Sequence, residues 1–413
     1  MIDLSLLRED PKNIKSLVLK KDPNFDFDQL VRLDQDARAL RGSVEQLRNE
    51  KNSLAKQAGK GITDELRNKS IEIGKNLKKE EESLRRLEVE LKKLWLSCPN
   101  ILMNDVPEGK KESNQVIKVF DEKREYDFPI KNHLELGESL GWFDFESAAS
   151  MSGSQFALYK GEAVRLMYAL INFMLRINTK HGFQLISPPE LVTEQSLINS
   201  GNLPKFAEDV YKLPEDDLYL IPTAEVSLTN LYAGKILSKE DLPLNLCAWT
   251  SCFRREAGGY GSQERGLIRI HQFEKVELYT LSEPQNSEEE QKKMLACAEE
   301  ILQELGLHYR VSLLAAQDCS FPSAKTYDVE VWIPSQERYY EVSSVSNCTD
   351  FQARRASIRY REESNSKPRL VHTLNASSLA LPRLMVAIME NYQTKDGKIE
   401  FSSSIQEILN KTW

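Results

Sequence analysis

The residues of this chain best suited to chemistry crowd into the stretch from Phe253 to Leu278, FRREAGGYGSQERGLIRIHQFEKVEL. Arg254, Arg255, Arg265, Arg269 and Lys275 stand there among Glu256, Glu264, Glu274 and Glu277, with glycines at the bend. A guanidinium fork matches phosphate or carboxylate oxygens, so such a concentration of cations suits a polyanion. The interleaved carboxylates suit a magnesium ion or an ammonium group. Ala257-Gly258-Gly259-Tyr260-Gly261 supplies a hinge whose backbone can approach a ligand closely. A nucleoside triphosphate taken together with an amino acid would answer both needs.

These side chains need elements to aim them. FRRE reads as the start of one strand, and LIRIHQFEKVELY alternates or runs apolar like another. Glu256 then follows Arg254 by two residues on the same strand face. Upstream, Gly161 to Lys180 is an amphipathic helix with Leu166, Leu170, Phe173, Met174 and Ile177 on one face, followed by the short strand Gln184 to Ser187 stopped by Pro188 and Pro189. Thr223-Ala224-Glu225 follows Leu220-Ile221-Pro222; a lone carboxylate there is either a helix N-terminal residue or a ligand. Glu277, in KVELY, either pairs with a nearby arginine or faces a pocket. Phe273 is by its type an ordinary core aromatic, and His271 beside it reads as structural.

A different pattern occupies the N-terminal quarter. Leu30, Leu33, Ala37, Leu40, Val44, Leu47 and Leu54 step by three and four, interrupted at Lys51, and after Gly59-Lys60-Gly61 the seam resumes from Leu66 to Leu94. Two helices joined by a glycine turn fold back antiparallel, each about 45–50 Å long at 1.5 Å per residue. Cys98-Pro99-Asn100 ends the second. Lys78-Lys79, Arg85-Arg86 and Lys92-Lys93 recur after seam leucines and form an outward basic stripe. With Glu81, Glu82, Glu88 and Glu90 interleaved, spacing alone makes this a solvated helix face.

The 413 residues allow two or three domains, and 40% hydrophobic with 29% charged residues is the composition of a soluble globular protein. No apolar run approaches the length of a membrane span, and the acidic N-terminus lacks the marks of a signal or transit peptide. The six cysteines are scattered without a C-x-x-C, which fits reduced thiols in the cytoplasm and no zinc site. The net charge of −8 argues weakly against RNA, which responds to a local patch rather than a sum.

The Phe253–Leu278 run resembles motif 2 of the class II aminoacyl-tRNA synthetases in the form found in seryl-tRNA synthetases. SGSQFALYKGEAVRLMYALINFML, HGFQLISPPELV, NLPKFAEDVYKL, YLIPTAEVSLTN, KTYDVEVWIPSQERYYEVSSVSNCTDFQARR and LNASSLALPRLMVAIMENY are similar to further blocks of that family, in its order. The resemblance implies an α+β fold: a class II antiparallel sheet flanked by helices over residues 101–413. An N-terminal tRNA-binding domain precedes it over 1–100, with an antiparallel coiled-coil arm at about 28–97. It implies ATP-dependent attachment of L-serine to tRNA(Ser) through seryl-adenylate by a cytoplasmic homodimer, with tRNA(Sec) open as a second acceptor. The helix–strand–proline unit is similar to the dimer element, motif 1.

Residue by residue, the resemblance gives Thr223, Ala224, Glu225, Glu277, Asn375 and Ser377 to serine. It gives Arg254, Arg255, Glu256, Arg269, Phe273, Glu341, Val342, Ser343, Ser344 and Arg383 to ATP. Arg254 would meet the α-phosphate, Glu256 and Phe273 the adenine, and Arg269 and Arg383 the triphosphate tail; with Glu256 these arginines carry catalysis. Glu341 and Ser344 would hold Mg2+ with the ATP, and Lys78, Lys79, Arg85, Arg86, Lys92 and Lys93 would grip the tRNA by shape and phosphate. Removing residues 28–97 should then spare adenylate formation and abolish tRNA charging.

The chain departs from the family in its last motif. Asn375-Ala376-Ser377-Ser378 and Pro382-Arg383 stand where Asn-Gly-Ser-Gly and Gly-Arg are common, just ahead of what reads as the last helix. If either glycine needs a positive φ, its replacement costs about 1 kcal/mol or shifts the loop. Such a cost would favour the alternative reading, an RNA-binding dimer that has lost aminoacylation. A third reading, an amino acid:carrier-protein ligase, is disfavoured by the arm. The retained charged cluster favours the active enzyme.

Overall fold

The computed structural model describes residues 1–59, 61–257 and 266–413, in two compact units, Met1–Pro99 and Asn100–Trp413. Lys60, much of the glycine hinge (Gly258, Gly259, Tyr260, Gly261), Glu264 and Arg265 lie outside the described residues.

In the first unit, helices α1 (Phe27–Ala58) and α2 (Asp64–Leu96) form the long hairpin. The carboxylate of Asp26 and the hydroxyl of Thr63 cap their first turns, accepting from the amides of Gln29 and Leu66. Leu30, Leu33, Ala37, Val44 and Leu54 are buried against Ile73, Leu77 and Leu91, which is the seam read from the sequence. Arg41 bonds Glu88 at 2.5 Å and Arg48 bonds Glu81 at 2.7 Å. Seven residues forward on α1 match seven back on α2, so the helices run antiparallel. All six residues of the basic stripe are exposed, although Arg86 also bridges Glu82 on its own helix at 2.6 Å.

The second unit is built on an eight-stranded sheet. Its strands are β1 (Gln115–Phe120), β2 (Gln184–Leu185), β3 (Leu244–Phe253), β4 (Gln272–Ser282), β5 (Tyr309–Leu313), β6 (Lys325–Ile333), β7 (Arg338–Asn347) and β8 (His372–Ala380). The order across the sheet is β1-β5-β6-β7-β8-β4-β3-β2, antiparallel throughout except for the short parallel edge pair β2–β3. Helices Glu162–Lys180, Ser287–Glu304 and Leu381–Asn391 cover one face, burying Leu166, Leu170, Met174, Met294, Ile301, Met385 and Ile388 against Val276, Leu278, Val345, Leu374 and Ala376. Each such side chain contributes about 1.5–3 kcal/mol by leaving water. Period-two alternation then turns Lys275, Glu277, Asn375 and Ser377 to the other face, where the polar cavity lies.

The strand boundaries differ from the sequence reading. FRRE does not begin a strand; it leaves the end of β3 at Phe253. Leu267 and Ile268 sit in a short 3-10 turn, and β4 starts only at Gln272. Nor is the helix after Ser377 the last, because Ser403–Thr412 follows it and packs on the motif 1 helix. No helix among the described residues is long and apolar enough to cross a membrane.

Candidate active site

The open face of the sheet carries a cavity of about 440 Å3, continuous with a second lobe of about 240 Å3 through shared walls at Arg254, Glu256, Arg269, Lys275, Glu341 and Ser377. At the inner end, Glu225 opens the helix Glu225–Leu231, so it is both the helix N-terminal residue and a cavity wall. Its carboxylate accepts from Gln352 Nε2 at 2.5 Å and Asn375 Nδ2 at 2.9 Å. Burial, and then the charge of Glu277, push its pKa up to about 7.

Glu277 is buried on β4, directly across from Ser377 in the register. Its partner is not an arginine: the Lys275 ammonium binds it, and the Thr223 hydroxyl donates to it at 3.2 Å. Lys275 also donates to Thr223 Oγ1 at 2.8 Å, so lysine, threonine and glutamate hold one another. Burial pushes the Glu277 pKa up, with Lys275 opposing it. The inner end therefore combines two carboxylates, one lysine and the amide and hydroxyl of Asn375 and Ser377, a set that can pair with both charges of a zwitterion.

Arginines and an aromatic line the outer lobe. Arg254 is held by its Nε to the Pro222 carbonyl at 3.2 Å, and its guanidinium lies 5.2 Å from the Phe273 ring centre. Its backbone amide bonds the His271 carbonyl at 2.9 Å, and His271 Nδ1 lies 2.9 Å from the Arg254 carbonyl, so the histidine ties the two chain segments together. Glu256 does not share a strand face with Arg254. It leaves the sheet with φ +51 and binds Arg269 at 2.6 Å. Arg383, at the first turn of its helix behind Pro382, reaches the Glu341 carbonyl at 2.8 Å and the Ile268 carbonyl at 3.3 Å.

A bulge makes Glu341 and Ser344 neighbours. Spaced three apart, they would face opposite sides of a regular strand. The β6–β7 register pairs Val329 with Ser343 and then Glu330 with Glu341, leaving Val342 unpaired. Val342 and Ser343 both turn to the core, and Glu341 and Ser344 both line the cavity. A carboxylate and a hydroxyl suit a hard cation that takes its remaining ligands from phosphates. Asp328, opposite Ser344, has an Oδ1 shut away from solvent without a hydrogen-bonding partner, but no group of three or more His, Cys, Asp or Glu side chains able to hold a metal occurs among the described residues.

Four residues expected at the site do not present side chains to it. Val342 packs in the core, the Ser343 hydroxyl donates to the Ser377 carbonyl at 2.5 Å, Ala224 is buried under its helix, and Arg255 is exposed outside both lobes. Conversely, Lys275, Gln352 and Asp209 are structural members of the site that sequence reasoning left unassigned. Asp209 accepts from the Ala257 amide at 3.1 Å through its side chain and from the Arg255 amide at 2.8 Å through its carbonyl. Lys275 was legible, since it shares a strand face with Glu277. Gln352 and Asp209 had no local signal, because their partners are distant in the chain.

The departures in the last motif carry no backbone strain. Neither Ala376 nor Ser378 has a positive φ. Ser378 is the extra residue of a second bulge, between Ser377 and Leu379, and its hydroxyl exchanges hydrogen bonds with the Asn178 amide group at 2.9 and 3.2 Å.

Comparison with known proteins agrees across the whole length. A family model described as the seryl-tRNA synthetase N-terminal domain matches residues 1–102. One described as the tRNA synthetase class II core domain (G, H, P, S and T) matches residues 209–392. A serine–tRNA ligase from a Hydrogenobaculum species is 46% identical over 417 residues, 99% of each chain. Another, from Syntrophomonas wolfei, is 45% identical over 97% of this chain and 95% of its own. The crystal structure of seryl-tRNA synthetase from Pyrococcus horikoshii complexed with ATP has a TM-score of 0.92 at 36% identity, covering 99% of this chain and 98% of that one. With two such domains, this sheet and these relatives, the chain belongs to the seryl-tRNA synthetase family of class II aminoacyl-tRNA synthetases.

Proposed function

We propose that this protein is a serine–tRNA ligase that joins L-serine to tRNA(Ser) at the expense of ATP, through a seryl-adenylate. The observation that carries the reading is the single continuous cavity with two carboxylates at one end, Glu277 buried and Glu225 partly so, and three arginines at the other. Glu225, Glu277, Thr223, Asn375 and Ser377 would take the ammonium and hydroxyl of serine. Arg254 would meet the α-phosphate, Phe273 the adenine ring, with Glu256 at its edge, and Arg269 and Arg383 the triphosphate tail. Glu341 and Ser344 would hold Mg2+, which when bound spreads the charge of the phosphates.

No protein nucleophile is needed. A serine carboxylate oxygen attacks the α-phosphorus, the bond to the bridging β-oxygen breaks, and pyrophosphate leaves with that electron pair. A ribose hydroxyl of the terminal adenosine then attacks the seryl carbonyl; AMP leaves, and the hydroxyl proton is lost. The residues position the groups and stabilise the developing charge. A pocket that hydrogen-bonds the serine hydroxyl rejects alanine by roughly 10⁴-fold, since its polar groups would be left unpaired.

The exposed basic stripe on α2 supports its assignment to tRNA(Ser), and a homodimer rests on the resemblance of the helix–strand–proline unit to motif 1. A cytoplasmic location fits six buried cysteines, none of them in a disulfide. Serine-dependent ATP–pyrophosphate exchange without tRNA, with alanine, threonine and glycine alongside, tests the first step. Exchange with serine alone is expected, and no exchange with any amino acid would sink the proposal. Charging of tRNA(Ser) tests the second step, and tRNA(Sec) in the same assay decides whether it too is an acceptor.

A further inference from the structure

Glu225 is held by a network that the proposed reaction has not used. Its Oε1 accepts from Asn375 Nδ2 at 2.9 Å and from Gln352 Nε2 at 2.5 Å. Both donors converge on that one oxygen, and Oε2 has no hydrogen-bonding partner among the described residues. Asn375 is itself a wall of the cavity. Gln352, on the short helix Phe351–Ala356, is buried and lies outside both lobes.

The direction of the Gln352 amide is fixed by its other partners. Its nitrogen also donates to the Ser200 carbonyl at 2.8 Å, and its oxygen accepts from the Thr373 hydroxyl at 2.7 Å and the Tyr279 hydroxyl at 3.4 Å. A flipped amide would set its oxygen against the Ser200 carbonyl and the Glu225 carboxylate, acceptor against acceptor. Gln352, Ser200, Thr373 and Tyr279 are all buried, so a bond lost among them is not replaced by water. Thr373 precedes Asn375 by two residues on β8, and Tyr279 lies directly across from Asn375 on β4. The sheet face that turns Asn375 and Glu277 to the cavity therefore also supplies the two hydroxyls behind Gln352.

We propose that Gln352 is a positioning residue for the amino-acid substrate: anchored by Thr373, Tyr279 and Ser200, it pins Oε1 of Glu225 and so leaves Oε2 to meet the substrate. This rests on the reading that Glu225 binds serine. Gln352 does not touch the substrate; it acts through Glu225. Two donors on one oxygen hold the carboxylate in place before serine arrives, so less order has to be created on binding. The Thr373 hydroxyl in turn acts on Glu225 only through the amide.

The test uses the full-length protein and serine-dependent pyrophosphate exchange. The KM for serine and the KM for ATP are measured separately in wild type, Gln352→Met, Thr373→Val, the double variant and Glu225→Gln. Gln352→Met keeps the length of the side chain and removes its donors. It is expected to raise the KM for serine about tenfold or more, through the lost bond to a charged group, with the KM for ATP nearly unchanged. Thr373→Val is expected to raise the serine KM by a smaller factor and to add nothing in the double variant. An unchanged serine KM in Gln352→Met, with Glu225→Gln impaired, overturns this inference and leaves the serine pocket standing. A wild-type serine KM in Glu225→Gln removes Glu225 from that pocket, and this inference with it. Serine and ATP constants that rise together give Gln352 a purely structural role and overturn the proposal, as do factors that simply multiply in the double variant. Where Gln352→Met does not fold, Thr373→Val decides: a rise confined to serine upholds the inference, and no rise overturns it.

Discussion

Glu225 and Glu277 lie in one pocket, and Lys275 is the cation in contact with Glu277, so the charge of the pocket depends on the protonation of Glu225. With Glu225 ionised the pocket carries one more negative charge than with Glu225 protonated, which suits an ammonium. The KM for serine in pyrophosphate exchange is therefore expected to rise as pH falls below about 7, the pKa that burial gives Glu225. Stability moves the other way. The folded pKa lies above the unfolded value of 4.5, so the unfolded chain ionises first as pH rises. Folding stability contributed by this group is full below 4.5, falls between 4.5 and about 7, and stays reduced above. A shift of this size corresponds to about 3 kcal/mol. Glu225→Gln should thus melt higher than wild type at pH 8 but not at pH 4.5, and its serine KM should be raised and lose the dependence near pH 7. A melting difference that does not change with pH would rule out a buried charge at Glu225.

At the scale of elements, the bulges decide the site. A strand displays every second residue, so neither Glu341-x-x-Ser344 nor the run Asn375 to Leu379 fits a regular ladder, and two unpaired residues, Val342 and Ser378, reset the phase. Regular periodicity was legible in the sequence: the seam of α1 and α2, and the buried face of Glu162–Lys180, lie where the apolar spacing puts them. The breaks in periodicity were not, because a bulge or a left-handed residue such as Glu256 has no pattern of its own. For the same reason the charged residues of the cavity could be picked out by type, while Val342 and Ser343 were assigned side chains that in fact face the core. Ser378 makes the point testable. Glycine is common at that position in the family, but here the serine hydroxyl satisfies the buried Asn178 amide. Ser378→Gly should cost about 1 kcal/mol, because the Asn178 amide keeps only the Cys247 sulfur at 3.5 Å, and lower the melting temperature, leaving the KM for serine and ATP nearly unchanged. A variant as stable as wild type would show that the Cys247 contact alone satisfies Asn178.

For the whole molecule, the net charge of −8 conceals a division between two units with separate interiors. The hairpin is held by its leucine seam and by the Arg41–Glu88 and Arg48–Glu81 bridges, none of which uses the basic stripe. The stripe can therefore be neutralised without unfolding the element that displays it. Replacing Lys79, Arg85, Lys92 and Lys93 with alanine keeps a good helix former at each exposed position. Each tRNA phosphate that the stripe no longer neutralises should flatten the dependence of tRNA affinity on salt by about 0.7–0.9 in the log–log slope. If the stripe grips the tRNA backbone, the variant loses tRNA charging by a hundredfold or more at physiological salt, with a shallower salt slope. Serine-dependent pyrophosphate exchange should stay at the wild-type rate, because the cavity lies wholly in the second unit. Loss of both activities in step would mean that the hairpin supports the catalytic fold. Loss of neither would return the stripe to what its spacing alone suggests, a solvated face of a coiled coil.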